Sequence, residues 1–322
     1  QRPVDGQLLR ALSARALSWS QQVHELGNVS RVNGPIPLSF RTIPRRLGIG
    51  AGESLDEDDL LLRDSHIAVL GDAGAGKTTT LRRIAGMIAT TPSFSDLFDR
   101  VVLVVCRESH QRKQSLRDEL ANAVGISAKL AADLDQPWPV VINLLEGTLI
   151  LIDGLDELPA VKRERFEVDL AWLARSVHAK IIVSSRSPDW VPIAGFEVAE
   201  IQPLTVTQIA KLVGSVFDAD NADRFIEAIS REESIRELAN RPLLLVYMAR
   251  LYQLRGTIPE RPSDLLRAIV LLLVREWDEQ RRVRRQSAFT HFDDDAKLAF
   301  LGELSWRLLE ASLTLFSMDD FN

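Results

Sequence analysis

The strongest chemical pattern in the chain lies at positions 71–78. Gly71, Asp72, Ala73, Gly74, Ala75, Gly76, Lys77 and Thr78 fit the spacing G-x-x-x-x-G-K-[ST]. Glycines accept backbone angles that side chains resist, so successive N–H groups can converge on one anion. A helix starting directly after such a loop adds its positive end. Lys77 is then set to pair with the outer phosphates of a polyphosphate, and the Thr78 hydroxyl to sit on Mg²⁺. Thr79 follows in the same first turn and belongs to the same cradle. A dinucleotide-binding loop fits poorly, because that fingerprint lacks the Lys-Thr pair and spaces its glycines differently.

A second constellation is TLILIDGLDELP, an apolar run that ends in Asp153 and continues through Gly154 and Leu155 to Asp156 and Glu157. A carboxylate at the tip of a buried strand beside a phosphate loop is where Mg²⁺ needs a partner. One of the two later acids can polarise an attacking water as a general base. Spacing leaves both open, with Glu157 favoured and Asp156 the second candidate. A third strand tip, KIIVSSRSPDW, offers Arg186 beyond Ser184 and Ser185. Ligands of parallel sheets bind outside the carboxyl ends of strands, so Arg186 is placed to reach a terminal phosphate and report its presence. Pro242, in NRPLLL, suits the first position of a helix. It either only starts that helix or also packs on the adenine of a nucleotide and couples the helical part to it.

These residues need a scaffold, and the text around them supplies one. HIAVL (66–70), VVLVV (101–105), TLILI (148–152) and KIIVS (180–184) read as buried strands, with FEVAEI (196–201) a weaker fifth. Helical stretches fall between them at 78–89, 115–124, 131–145 and 162–177. The alternation predicts a mostly parallel sheet with helices on both faces. Before it, residues 7–26 read as a helix. A Pro- and Gly-rich arm with Pro35, Pro37 and Pro44 reads as extended, and an acidic patch follows at Asp56–Asp59. After Pro203 no convincing strand is expected. Helices are predicted from the Thr205 N-cap onward and at 243–254, 263–282 and 294–313.

With 322 residues the chain has room for two or three compact units. A composition 46% hydrophobic and 26% charged is that of a globular protein, not of a disordered or collagen-like one. The net charge of −6 gives no global basic bias toward nucleic acid or anionic membrane. The lone Cys106 can form no internal disulfide, and its apolar setting predicts a buried thiol in a reducing compartment. Scattered histidines lack zinc-ligand spacing. Neither a signal peptide nor a spanning apolar run is seen, so a cytoplasmic protein is expected. The arginines at 281, 282, 284 and 285 read as a solvated helix end, because no aromatics interleave to stack bases. Tryptophans 138, 172, 190, 277 and 306 read as packing residues. Because the chain begins at Gln1 and stops at Asn322, it is expected to be a fragment.

Taken together, GDAGAGKTTTL (71–81), LILIDGLDEL (149–158), IIVSSR (181–186), EIQPLTVTQI (200–209), NRPLLL (240–245) and 258–277 resemble the NACHT family of signal-transducing (STAND) ATPases. LGELSWRLLE (301–310) resembles the first helix of that family's winged-helix domain. The resemblance runs from about residue 33 to 322. It implies an ASCE/AAA+-like phosphate-loop fold over 63–204, a helical domain over 205–288 and the start of a winged-helix domain over 289–322. A linker helix (1–32) and an extended arm (33–62) would precede them. It further implies ATP or ADP with Mg²⁺ as cofactors and slow hydrolysis. The ADP form would be closed and monomeric. ATP would open it and allow homo-oligomers that activate an effector domain outside this chain, in innate immunity or antiphage defence. Membrane and nucleic acid are not among the implied partners. The family's phosphate-contacting winged-helix histidine is not identifiable, since His291 precedes the resembling helix. An LSGGQ-type transporter signature and a guanine-reading N-K-x-D are both absent from the sequence. An AAA+ remodelling motor and a nucleotide-binding scaffold without turnover are the remaining alternatives.

Overall fold

The computed structural model describes residues 18–19, 38, 40–43, 53–91, 94, 97–126, 137–280 and 294–311. Most of the helix predicted over 7–26, the first part of that over 131–145, the arginine cluster at 281–285 and His291 lie outside them. The chain divides into two compact units; among the described residues the first ends at Pro203 and the second begins at Leu204.

Seven strands form the sheet of the first unit: β1 (Phe40–Ile43), β2 (Ser54–Leu55), β3 (His66–Leu70), β4 (Arg100–Val105), β5 (Thr148–Asp153), β6 (Lys180–Ser185) and β7 (Phe196–Ile201). Their order is β2-β1-β7-β3-β6-β5-β4. The five strands from β7 to β4 are mutually parallel. β1 runs antiparallel to both β7 and β2. β3, β4, β5 and β6 are rich in Val, Ile and Leu because both faces are covered, and their inner residues are almost wholly buried, whereas β7 keeps two half-buried glutamates, Glu197 and Glu200. β6 sits between β3 and β5, the spacing of an ASCE-type phosphate-loop sheet.

The helices of this unit are α1 (Glu57–Leu62), α2 (Lys77–Thr90), α3 (Cys106–Gln111), α4 (Leu116–Ala123), α5 (Pro137–Leu145) and α6 (Ala160–Ser176). One core gathers Val102, Val104, Ile150, Ile152, Ile181 and Val183 of the sheet with Leu120, Val141, Phe166, Leu170 and Leu173 of α4, α5 and α6. α2 contacts β5 and β6. Arg117 of α4 ties the helical layer together. Its guanidinium lies 4.5 Å from the Trp172 ring and 5.2 Å from that of Trp138, and its Nε donates to Asp169 at 2.7 Å.

The acidic patch at Asp56–Asp59 is the start of α1. Asp56 Oδ1 accepts from Asp59 N–H at 3.0 Å and Asp59 Oδ2 from Asp56 N–H at 2.9 Å, a capping box. Acids gain there from the helix dipole, and local charge density conceals the helix behind a solvated face.

The second unit is helical throughout its described residues: α7 (Val206–Val216), α8 (Ala219–Ser230), α9 (Glu233–Ala239), α10 (Pro242–Arg255), α11 (Pro262–Gln280) and α12 (Asp294–Glu310). Thr205 and Gln208 form the predicted cap of α7. α8 and α9 are not among the helices expected from the sequence; α8 buries Phe225 and Ile229, and the seven-residue α9 buries Ile235 and Ala239. Phe217, Phe225 and Tyr252 pack as a trio with ring centroids 5.3–5.8 Å apart. Trp306, expected to be a packing residue, is instead exposed on α12, where no described side chain is buried.

Lys180, at the base of β6, is buried and donates to the carbonyls of Arg63 and Ser65 in the turn before β3. Burial pulls its pKa from 10.5 to about 8, against the pull of Glu197 and Asp64. Between those values the unfolded chain holds the proton and the folded chain does not, so stability rises with pH across that window. Relative to Lys180→Met, the wild-type protein is expected to gain about 3 kcal/mol between pH 8 and pH 10.5, read by denaturant unfolding. A difference between the two proteins that is flat with pH would refute this.

Candidate nucleotide-binding site

The phosphate loop joins β3 to α2. Gly76 is the N-cap of α2 at φ +105°, a conformation side chains rarely adopt. A Cβ there would also stand 2.7 Å from Leu38 Cδ1. The first helical bond runs from Thr80 N–H to Gly76 O at 2.9 Å. Among the described residues the N–H groups of Gly74 and Gly76 donate to no backbone carbonyl, which leaves them for an anion. Lys77 Nζ donates to the loop's own carbonyls, Gly71 O at 2.7 Å and Asp72 O at 3.1 Å. Burial lowers the Lys77 pKa, opposed first by the charge of Asp156.

Register brings the acids to this loop. In the parallel ladder Val105 is level with Asp153, and Ile152 with Val183, so Ser184 stands beside Asp153. Asp153 is buried, and its Oδ1 accepts from Thr78 Oγ1 at 3.1 Å and Ser184 Oγ at 2.8 Å. Among the described residues no donor reaches its Oδ2. Burial raises its pKa, while those two hydrogen bonds pull the other way.

Gly154 turns the chain at φ +75°, and a short 3₁₀ turn, Leu155–Glu157, follows. A Cβ on Gly154 would meet the Glu157 side chain at 3.1 Å, so glycine is what lets that side chain fold back. The turn parts the two acids. Asp156 is buried and paired with Arg186 Nε at 2.9 Å. Glu157 is partly exposed and pairs with Arg107 Nε at 3.2 Å. Burial raises the Glu157 pKa, with Arg107 the largest opposing influence.

The fold thus brings together the loop 71–78, Asp153, Asp156, Glu157 and Arg186. Thr79 lies in the first turn of α2. Pro242 opens α10 in the second unit, at the helix start its spacing predicted. Arg107 was missed by the sequence reading. It lies two residues beyond the end of β4, in the first turn of α3, so the rule that parallel sheets bind beyond their strand ends already pointed at it. Ser184 was noticed only as part of a strand tip. Cys106, as expected, is buried, and burial drives its thiol pKa well up.

A Mg²⁺ ion fits the donor set. Thr78 Oγ1 and Asp153 Oδ1 are hard oxygens 3.1 Å apart. Neighbouring ligands of an octahedral Mg²⁺ at 2.0–2.1 Å are separated by about 3 Å.

A central strand, a glycine loop capping the next helix, and a buried acid on the strand beyond its neighbour define a P-loop NTPase. More narrowly, residues 65–220 match the family model of the NACHT domain, so the chain carries a NACHT domain, a nucleotide-binding NTPase module of the STAND type. No curated protein matches the chain.

Gly76→Ala forces a side chain into the positive-φ region. It is expected to cost about 1–3 kcal/mol in denaturant unfolding and to weaken nucleotide binding. Unchanged stability and affinity would show that the loop does not depend on that conformation.

Proposed function

We propose that this protein is an ATP-driven signalling switch that hydrolyses its nucleotide slowly to reset. The contact carrying this reading is that of Thr78 Oγ1 with Asp153 Oδ1, which sets a cation site at the head of the phosphate loop. The loop amides and Lys77 bind the phosphates. Bound Mg²⁺ would supply positive charge to the phosphate oxygens as the bond to the leaving group breaks.

Glu157 is the favoured base. It is the accessible acid of the pair, and a raised pKa brings its proton affinity nearer that of a group working at neutral pH. Asp156 is less suited, because it is buried against Arg186. Arg186 is partly exposed and already holds one acid of the turn. A terminal phosphate would compete with Asp156 for it, so loss of that phosphate is felt at the turn.

The NACHT match and the family resemblance support the rest of the reading. ADP would hold the protein closed and monomeric, with Pro242 against the base. ATP would favour opening and assembly into homo-oligomers that activate an effector domain, in cytoplasmic innate immunity or antiphage defence.

Glu157→Gln is expected to retain ATP binding while slowing hydrolysis by about 100-fold or more. Lys77→Ala should lose nucleotide binding altogether. If Glu157→Gln changes neither hydrolysis nor binding, the base is misassigned; tight binding by Lys77→Ala would overturn the phosphate-loop reading. Light scattering with ADP and with a non-hydrolysable ATP analogue tests the switch. A monomer with ADP and a larger species with the analogue support it. Rapid turnover by a protein that never assembles would refute it.

A further inference from the structure

We propose that Ser184 is a positioning residue that locks the cation-binding carboxylate and the acidic turn into one unit. The inference rests on the nucleotide-site reading above and assigns a residue that reading leaves without a role.

Ser184 is fully buried near the end of β6, level with Val69 of the phosphate-loop strand on one side and beside Asp153 on the other. Its hydroxyl is committed in both directions. It donates to Asp153 Oδ1 at 2.8 Å and accepts from Gly154 N–H at 2.8 Å. A hydroxyl has one proton to give, so that donor is spent on the carboxylate. The two partners are consecutive residues with different duties. Asp153 faces Thr78 across the cation site, and Gly154 opens the turn that carries Asp156 and Glu157.

Thr78 is itself a cation ligand in that reading, so its contact with Oδ1 belongs to the site and not to the support behind it. Ser184 takes no part in binding and can hold Oδ1 throughout. With Oδ1 fixed, Oδ2 keeps one direction. Partners of this kind, one bond behind a ligand, commonly change metal affinity by tenfold or more when removed.

The next residue provides an internal comparison. Ser185 is equally buried, on the same strand, yet its hydroxyl makes no hydrogen bond. Removing an unbonded buried hydroxyl is close to neutral.

The test is nucleotide affinity, measured with a fluorescent ATP analogue in EDTA and across a Mg²⁺ titration. Ser184→Ala is expected to bind in EDTA within about twofold of wild type and to need roughly tenfold more Mg²⁺ for half-maximal effect. Ser184→Thr, which restores the hydroxyl, should return the wild-type Mg²⁺ dependence, and Ser185→Ala should never lose it. Should Ser184→Ala fail to fold, Ser184→Cys, with its weaker donor, is measured in its place and should show a smaller shift in the same direction. A folded Ser184 variant without a hydroxyl that keeps the wild-type Mg²⁺ dependence overturns the inference and leaves the site reading standing. Wild-type protein whose nucleotide binding ignores Mg²⁺ overturns both.

Discussion

A carboxylate buried at the end of a parallel strand is costly, and much of the first unit is arranged around that cost at Asp153. Desolvation pushes its proton affinity up. Hydroxyls from two other elements, Thr78 and Ser184, answer on one oxygen. That compensation exists only because β3, β6 and β5 end level with one another, so the helix after β3 and the tip of β6 both reach the same atom. Slipping one strand by a residue would turn its side chains to the other face and leave the charge buried without donors.

The same economy governs the turn beyond it. Asp156 and Glu157 are consecutive, and like charges beside a third carboxylate repel one another. Each instead meets an arginine from a different strand end, Arg186 after β6 and Arg107 after β4. Exposure then separates them. In the first pair the acid is buried and only the arginine reaches water, whereas both members of the Arg107–Glu157 pair reach solvent, where such contacts are weak and easily exchanged. Neighbours in sequence thus have different capacities, one held and one available.

Much of this was legible in the sequence. Four of the five parallel strands show as runs rich in Val, Ile and Leu, because both their faces are covered, whereas FEVAEI carries the half-buried Glu197 and Glu200 and reads more weakly. The phosphate loop and Asp153 are local patterns and read directly. What stayed hidden depends on distance in the chain. The Ser184–Asp153 and Arg107–Glu157 partnerships follow from register between strands far apart in sequence. The difference between Asp156 and Glu157 is a matter of burial on a single 3₁₀ turn, which spacing cannot express. α1 was concealed for another reason: a run of acids resembles a solvated patch until the reciprocal Asp56–Asp59 cap shows that it begins a helix.

The antiparallel addition of β1 to β7 carries a consequence for how the chain acquires its shape. Phe40 pairs with Ile201, the widest sequence separation of any pairing in the sheet. As the chain leaves the ribosome, β1 must wait until the whole nucleotide core has been synthesised before it finds its place. Until then the edge of β1 that will meet β7 presents unpaired backbone groups to any other strand in the cell. Sealing that border is therefore one of the last acts of assembly, and the period before it is when a nascent molecule is most open to joining the wrong neighbour.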